Sequence, residues 1–163
     1  MEDLLRQQLL AALRREFADD PGNVDHALAV LGYAQAILQH ENADATVVEA
    51  AAILHDIGVA EARRKFGRCD YLLQESEGPP LARRIMQELR MDEDAIDHVC
   101  RIVGSHHTAK DIDTPEFRIL WDADWLVNLA GAARTMTAQA LSAKIDEVFR
   151  TPTGKALAKR QWL

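Results

Sequence analysis

Apolar residues recur every three or four positions along most of this chain, and this helical periodicity is the strongest constraint on its fold. Residues 3–17 show it first, with leucines and a phenylalanine separated by Arg and Gln. A dense group of helix-breaking residues, 19–23, ends that segment. No stretch of useful length alternates apolar and polar residues as a half-buried strand would. The sequence therefore predicts an all-α bundle of about seven to eight helices around one core.

The predicted helices follow from the same pattern and its interruptions. They cover about residues 3–17, 24–40, 45–57, 78–89, 92–104, 117–129 and 133–149, followed by a short tail helix. Pro79 and Pro80 are expected in a first turn, where a missing N–H group costs nothing. Residues 58–76 are less periodic and receive no helix.

Length and composition indicate one globular domain. The 163 residues are 48% hydrophobic and 28% charged, which is enough apolar material for one sizeable core. We expect an N-terminal helix over 1–19 and the main domain over 20–163, joined in a single compact unit. No apolar stretch approaches the ~18 residues of a transmembrane helix.

The net charge of −7 excludes two classes of partner. Sequence-independent nucleic-acid binding and attachment to anionic membranes both need a basic surface, and the chain has no basic tract. The acidic start lacks the features of a signal peptide. Two cysteines without close spacing fit a reducing compartment, so we expect a cytoplasmic protein. The sequence leaves open whether the protein forms a homodimer.

Polar residues within apolar helices are the informative ones, because burying them unpaired is costly. His55 and Asp56 end the most apolar run of the chain, residues 50–54. Adjacent helical residues point ~100° apart, so both can reach one metal ion only at the flank of the helix. The alternative is an ordinary helix C-terminus with an exposed aspartate.

Two further residues have the same character. His26 lies on the apolar stripe of the second helix, where a hydrogen-bonded core histidine is the alternative to a ligand. Asp124 lies between two tryptophans and several aliphatic residues, so it requires a cation, a metal ion or a set of donors. Asp122, two residues away, points ~200° around the helix, so we expect only one of the two aspartates at the same site.

Together His26, His55, Asp56 and Asp124 offer two imidazoles and two carboxylates, which suit an octahedral divalent metal. Their order and spacing resemble the HD-domain metal-dependent phosphohydrolase superfamily over roughly residues 20–160. Further elements of the resemblance are residues 51–58, 74–78, 122–126 and the pair at 106–107. In that family an aspartate in an A-D-x-L context is the last ligand, which implies Asp124 rather than Asp122.

The resemblance implies hydrolysis of a phosphate ester or anhydride of a small metabolite, with a nucleotide as the leading class. Asp56 would bind the metal and orient or deprotonate the water. The cofactor would be one divalent ion of Mn, Co, Ni, Fe or Mg, whose bound water acts as nucleophile at neutral pH. Two alternatives remain: an HD-fold di-iron oxygenase, and a non-catalytic binder of a nucleotide or signal.

His106 and His107 are the remaining candidates for the reaction. In binuclear branches of the family a histidine pair at this place binds a second metal, together with a histidine where this chain has Gln74. The resemblance therefore implies one tight ion, with the pair contacting phosphate or a weaker second ion. A helix-capping, partly exposed pair is the alternative.

Basic residues near these motifs are candidates for substrate phosphate contacts. A local excess of +3 falls in residues 61–68, although such a run is more often a solvated surface. The candidates are Arg63, Arg64, Lys65, Arg68 and Lys110.

Overall fold

The computed structural model describes residues 1–163 and consists of helices joined by short connections. Nine α-helices are present: α1 (Asp3–Glu16), α2 (Pro21–Leu38), α3 (Ala45–Leu54), α4 (Gly58–Phe66), α5 (Tyr71–Glu88), α6 (Glu93–Val103), α7 (Pro115–Ala133), α8 (Ala138–Val148) and α9 (Pro152–Trp162). The predicted all-α single domain is confirmed. No helix combines the length and apolarity that a membrane span requires.

The segment between residues 58 and 78 differs from the prediction. Residues 58–66 form a helix of their own, α4, which ends at Gly67 with a positive φ of 67°. Helix α5 begins at Tyr71, so Pro79 and Pro80 lie inside it rather than in its first turn. A proline removes the intrahelical donor and usually ends a helix. Here α5 continues because α4 and α6 pack along it and stabilise it through tertiary contacts.

Helix α3 is the centre of the fold. Eight of its ten residues are buried, and α1, α2, α6 and α7 pack around it. A helix that is apolar on nearly all sides is stable only in such surroundings. Arg6 of α1 donates to Glu49 of α3 over 2.9 Å, which fastens the N-terminal helix to this centre. The C-terminal end of α3 therefore delivers His55 into the interior, between α2, α6 and α7.

Close backbone packing brings α4 and α5 together beside this end of α3. A Cβ atom on Gly58 would lie 2.2 Å from the backbone oxygen of Gln74, and one on Gly78 would lie 2.7 Å from the Val103 side chain. Only glycine permits this approach. The turn after α3 is thus held against α5, with Gln74 close to the candidate site.

Candidate metal centre

His55 and Asp56 lie in the turn between α3 and α4, which allows adjacent residues to serve one site. His55 is fully buried. Its Nδ1 lies 3.0 Å from the carbonyl oxygen of Ala52, and since a carbonyl only accepts, Nδ1 carries the proton. Nε2 is therefore the nitrogen that faces the cluster and would bind a metal ion, the usual arrangement of a histidine ligand.

Three helices bring the first group of donors together: His26 of α2, His55 and Asp124 of α7. The His26 Nε2 lies 3.2 Å from the His55 Nε2 and 3.1 Å from Asp124 Oδ1. Their ligand atoms all lie within 4.8 Å of one another. Asp56 Oδ2 approaches the same two imidazoles at 3.5 and 3.4 Å. Two imidazoles and two carboxylates thus face one point, as a divalent ion requires.

The other oxygen of Asp56 faces a second group. Asp56 Oδ1 lies 3.3 Å from Nε2 of His106, and these two residues with His107 form another set of donors close enough for one ion. His106 is buried, and its Nδ1 donates to the carbonyl of Val103 over 2.8 Å. Its Nε2 is therefore the nitrogen that faces Asp56 and the second group of donors. The Asp56 carboxylate joins the two groups.

Helix α5 supports the second group. Gln74 donates from Nε2 to the carbonyl of Cys69 over 2.6 Å, which turns its Oε1 to within 2.8 Å of His107 Nε2. Glu75 accepts from the backbone N–H groups of His107 and Thr108, both at 2.9 Å. Glu75 therefore fixes the loop that carries the histidine pair and lies outside the donor groups.

The two aspartates of α7 have different surroundings. Asp124 faces the imidazoles and accepts from Asn128, one turn later, over 2.9 Å. Asp122 is fully buried on another side and accepts from the backbone N–H groups of Arg150 and Thr151, each at 2.7 Å. Burial raises the pKa of Asp122 despite these donors. Asp122 fixes the start of α9 and takes no part in the cluster.

Electrostatics in the cluster favour a cation. Burial opposes charge on His55, yet the neighbouring carboxylates of Asp56 and Asp124 raise its pKa to about 9. Burial also opposes ionisation of Asp56, but His55 and the hydrogen bond from His106 hold its pKa well below the usual value. Two carboxylates are thus concentrated where the imidazoles converge, and together they stabilise positive charge at that point. The residues present therefore fit a divalent metal ion.

A cavity of about 350 Å³ opens onto both donor groups. Its lining is mostly polar: Asn23, His26, Asp56, Val59, Arg63, Cys69, Gln74, His107, Asp124 and Asn128. Sequence reasoning did not identify Asn23, Cys69 or Asn128 as site residues. Of these, only Asn128 carried a usable signal, because it lies four residues after Asp124 on the same helical face.

Among the five predicted phosphate contacts, only Arg63 lines the cavity. Arg64 pairs with Glu16 and Glu61, and Lys65 pairs with Glu61 at 3.1 Å and Glu77 at 2.7 Å.

Arg68 and Lys110 are also outside the cavity lining. Arg68 is exposed and lies 3.5 Å from Asp70. Lys110 is exposed on the loop after the histidine pair. The basic run of residues 61–68 is therefore largely neutralised by acidic neighbours on the outer side of α4, and a single guanidinium faces the site.

Comparisons with known proteins give one family and one solved structure. No curated protein matches the chain. One solved structure, a predicted HD superfamily hydrolase from an uncultured Thermotogales bacterium, matches with a TM-score of 0.70 and 25% identity over 96% of this chain and 84% of its own. A family model of the HD domain matches residues 23–129, which include all the donors described above. These findings support a metal-dependent hydrolase in general, and the chain belongs to the HD domain family.

Proposed function

We propose that the protein is a metal-dependent phosphohydrolase that cleaves a phosphate ester or anhydride of a small metabolite, with nucleotides as the leading class. The observation that carries the proposal is the Asp56 carboxylate, which lines the cavity and joins two groups of imidazoles. HD family membership and the hydrolase neighbour support the same reaction type.

His26, His55, Asp56 and Asp124 would hold the metal ion. Such an ion supplies a water of lowered pKa and polarises a phosphoryl oxygen. The Nε2 atoms of His26 and His55 would ligate the ion and leave positions for water, while Asp56 and Asp124 would offset its charge. Asn128 keeps the Asp124 carboxylate turned towards the imidazoles by its 2.9 Å hydrogen bond.

The remaining cavity residues would act on the substrate. Arg63 supplies the only guanidinium in the lining and would bind phosphate oxygens that face away from the ion. Asp56, which already contacts His106, would accept a proton from the attacking water. His107 is exposed at the cavity wall and would contact the phosphate or the leaving group.

A weaker second ion belongs to the proposal. Asp56, His106 and His107 offer three donors, and the amide oxygen of Gln74 lies beside His107 as a fourth, uncharged one. A neutral amide oxygen binds divalent ions less strongly than an imidazole does. We therefore expect Mn²⁺ titration of the metal-free protein to show one tight and one weaker site, and the substitution of His107 by Ala to remove the weaker one.

The test is a substrate panel. The purified protein, loaded in turn with Mn²⁺, Co²⁺, Ni²⁺ and Mg²⁺, is offered nucleoside mono-, di- and triphosphates and an aryl phosphate ester, and released phosphate is measured. Phosphate release that is lost in Asp124→Ala supports the proposal. Stoichiometric metal binding without turnover of any phosphate compound would overturn it in favour of a binding protein. A bound di-iron cluster with visible absorption would favour an oxygenase.

A further inference from the structure

Arg63 is the only Lys or Arg among the residues that line the cavity. The neighbouring basic residues of α4 turn away and pair with glutamates. Asp56 and Asp124 line the same cavity, and an ion held between them leaves little positive field for an anionic substrate. The orientation of this single guanidinium therefore governs how well the cavity receives an anion.

Asp20 determines that orientation. It lies at the N-cap of α2, where an aspartate normally accepts from the backbone N–H groups of the first helical turn. No such bond is present. Instead, one carboxylate oxygen, Oδ2, accepts from Arg63 Nη1 and from Asn23 Nδ2, the latter over 2.6 Å. The carboxylate thus links the guanidinium and the amide that line the cavity, and it leaves the helix uncapped.

The bond to Asp20 leaves most of the guanidinium free. A guanidinium has five N–H donors, of which the bond to Asp20 uses Nη1 alone. The Arg63 side chain lines the cavity and is 49% exposed, so its other donors are accessible to solvent. Asn23 likewise retains donor capacity, since its amide carries two N–H groups. The free N–H groups of Arg63 and Asn23 can therefore donate together to one anion.

We propose that Asp20 is a positioning residue, which holds Arg63 and Asn23 at the cavity so that their free N–H groups bind the oxygens of a phosphate monoester dianion. The inference rests on the proposed phosphohydrolase function and specifies its substrate class. A monoester has three non-bridging oxygens, enough for the ion and for the guanidinium. A diester has two non-bridging oxygens and a single negative charge, so it accepts fewer and weaker hydrogen bonds from Arg63 and Asn23.

The experiment measures binding and turnover separately. Inorganic phosphate is titrated calorimetrically into the metal-loaded protein, and KM and kcat are measured with an aryl phosphate monoester and an aryl phosphate diester. The variants are Asp20→Asn, Arg63→Gln and a matched control, Asp113→Asn. Asp113 pairs with Arg118 at 2.8 and 2.5 Å on the surface, outside the cavity lining.

In Asp20→Asn we expect the phosphate Kd and the monoester KM to rise about fivefold, with kcat within about twofold. Arg63→Gln should raise both about tenfold, because charge-assisted hydrogen bonds are lost. The diester KM should change little in either variant, and Asp113→Asn should match the wild type throughout.

Two results would overturn the inference alone: a phosphate Kd and a monoester KM in Asp20→Asn that match the wild type, or equal effects of Asp20→Asn and Asp113→Asn on these two quantities. A stronger effect on the diester than on the monoester would overturn the substrate class. A wild-type protein that neither binds phosphate nor releases it would contradict the proposed function and this inference together.

Discussion

The two aspartates of α7 should respond to substitution in opposite ways. Asp122→Ala removes a buried carboxylate that accepts three hydrogen bonds, from Arg150 N, Thr151 N and Thr151 Oγ1, each at 2.7 Å. Each donor left unpaired costs about 1–3 kcal/mol. Burial raises the pKa of Asp122, so its buried charge is itself unfavourable, and removing that charge offsets part of the cost of the unpaired donors. We expect a net loss of about 3–4 kcal/mol in the free energy of unfolding.

Asp124→Ala removes a carboxylate that lies 3.1 Å from His26 Nε2 and accepts from the exposed Asn128. No buried backbone donor depends on it. The metal-free protein should therefore lose at most about 1 kcal/mol, while the metal ion loses one of its two charge-balancing ligands.

Thermal unfolding with chelator and elemental analysis after metal loading separate the two effects. For a domain of this size, 1 kcal/mol corresponds to about 2–4 °C in Tm, so Asp122→Ala should melt on the order of 10 °C lower and retain its metal. Asp124→Ala should melt within a few degrees of the wild type and lose its metal. Equal metal loss in both variants, or an unchanged Tm in Asp122→Ala, would refute the reasoning.

Glycine and cysteine positions provide further tests. Gly58→Ala should lower stability by about 3 kcal/mol in chemical denaturation, because the new Cβ would lie 2.2 Å from the Gln74 backbone oxygen. Gly32→Ala, in the interior of α2 with nothing within 4 Å, should raise it by about 0.5–1 kcal/mol, and a loss there would contradict the helix-propensity argument. Iodoacetamide should label Cys69 in the native protein and Cys100 only after denaturation, since burial raises the pKa of Cys100. Peptide mass spectrometry that finds both labelled at equal rates would contradict that burial.

Much of the fold could be read from the sequence because local pattern determines helices. Apolar periodicity and breaker clusters predicted most of the helices within a few residues. The helix prediction was wrong over residues 58–78 for a physical reason. Pro79 and Pro80 oppose a helix interior locally, and α5 continues through them only because neighbouring helices supply the stabilising contacts.

The sequence likewise predicted some residues of the candidate site and not others. His26, His55 and Asp124 stood out because an imidazole or carboxylate on an apolar stripe needs a partner, and the structure brings their ligand atoms within 4.8 Å. The basic run of residues 61–68 was a poorer guide, since the direction in which a surface cation points depends on its neighbours. Only Arg63 faces the cavity.

The sequence by itself determined the helical class, the single domain and the polar residues that the interior has to accommodate. Tertiary structure decided how those residues are used: Asp56 joins two donor groups, Gln74 meets His107, and Asp20 holds Arg63. The reason is that periodicity encodes which face of a helix is buried, whereas the partner that a side chain meets depends on how distant helices cross. The Asp20–Arg63 pair is 43 residues apart in the chain, and the Asp56–His106 pair is 50 apart.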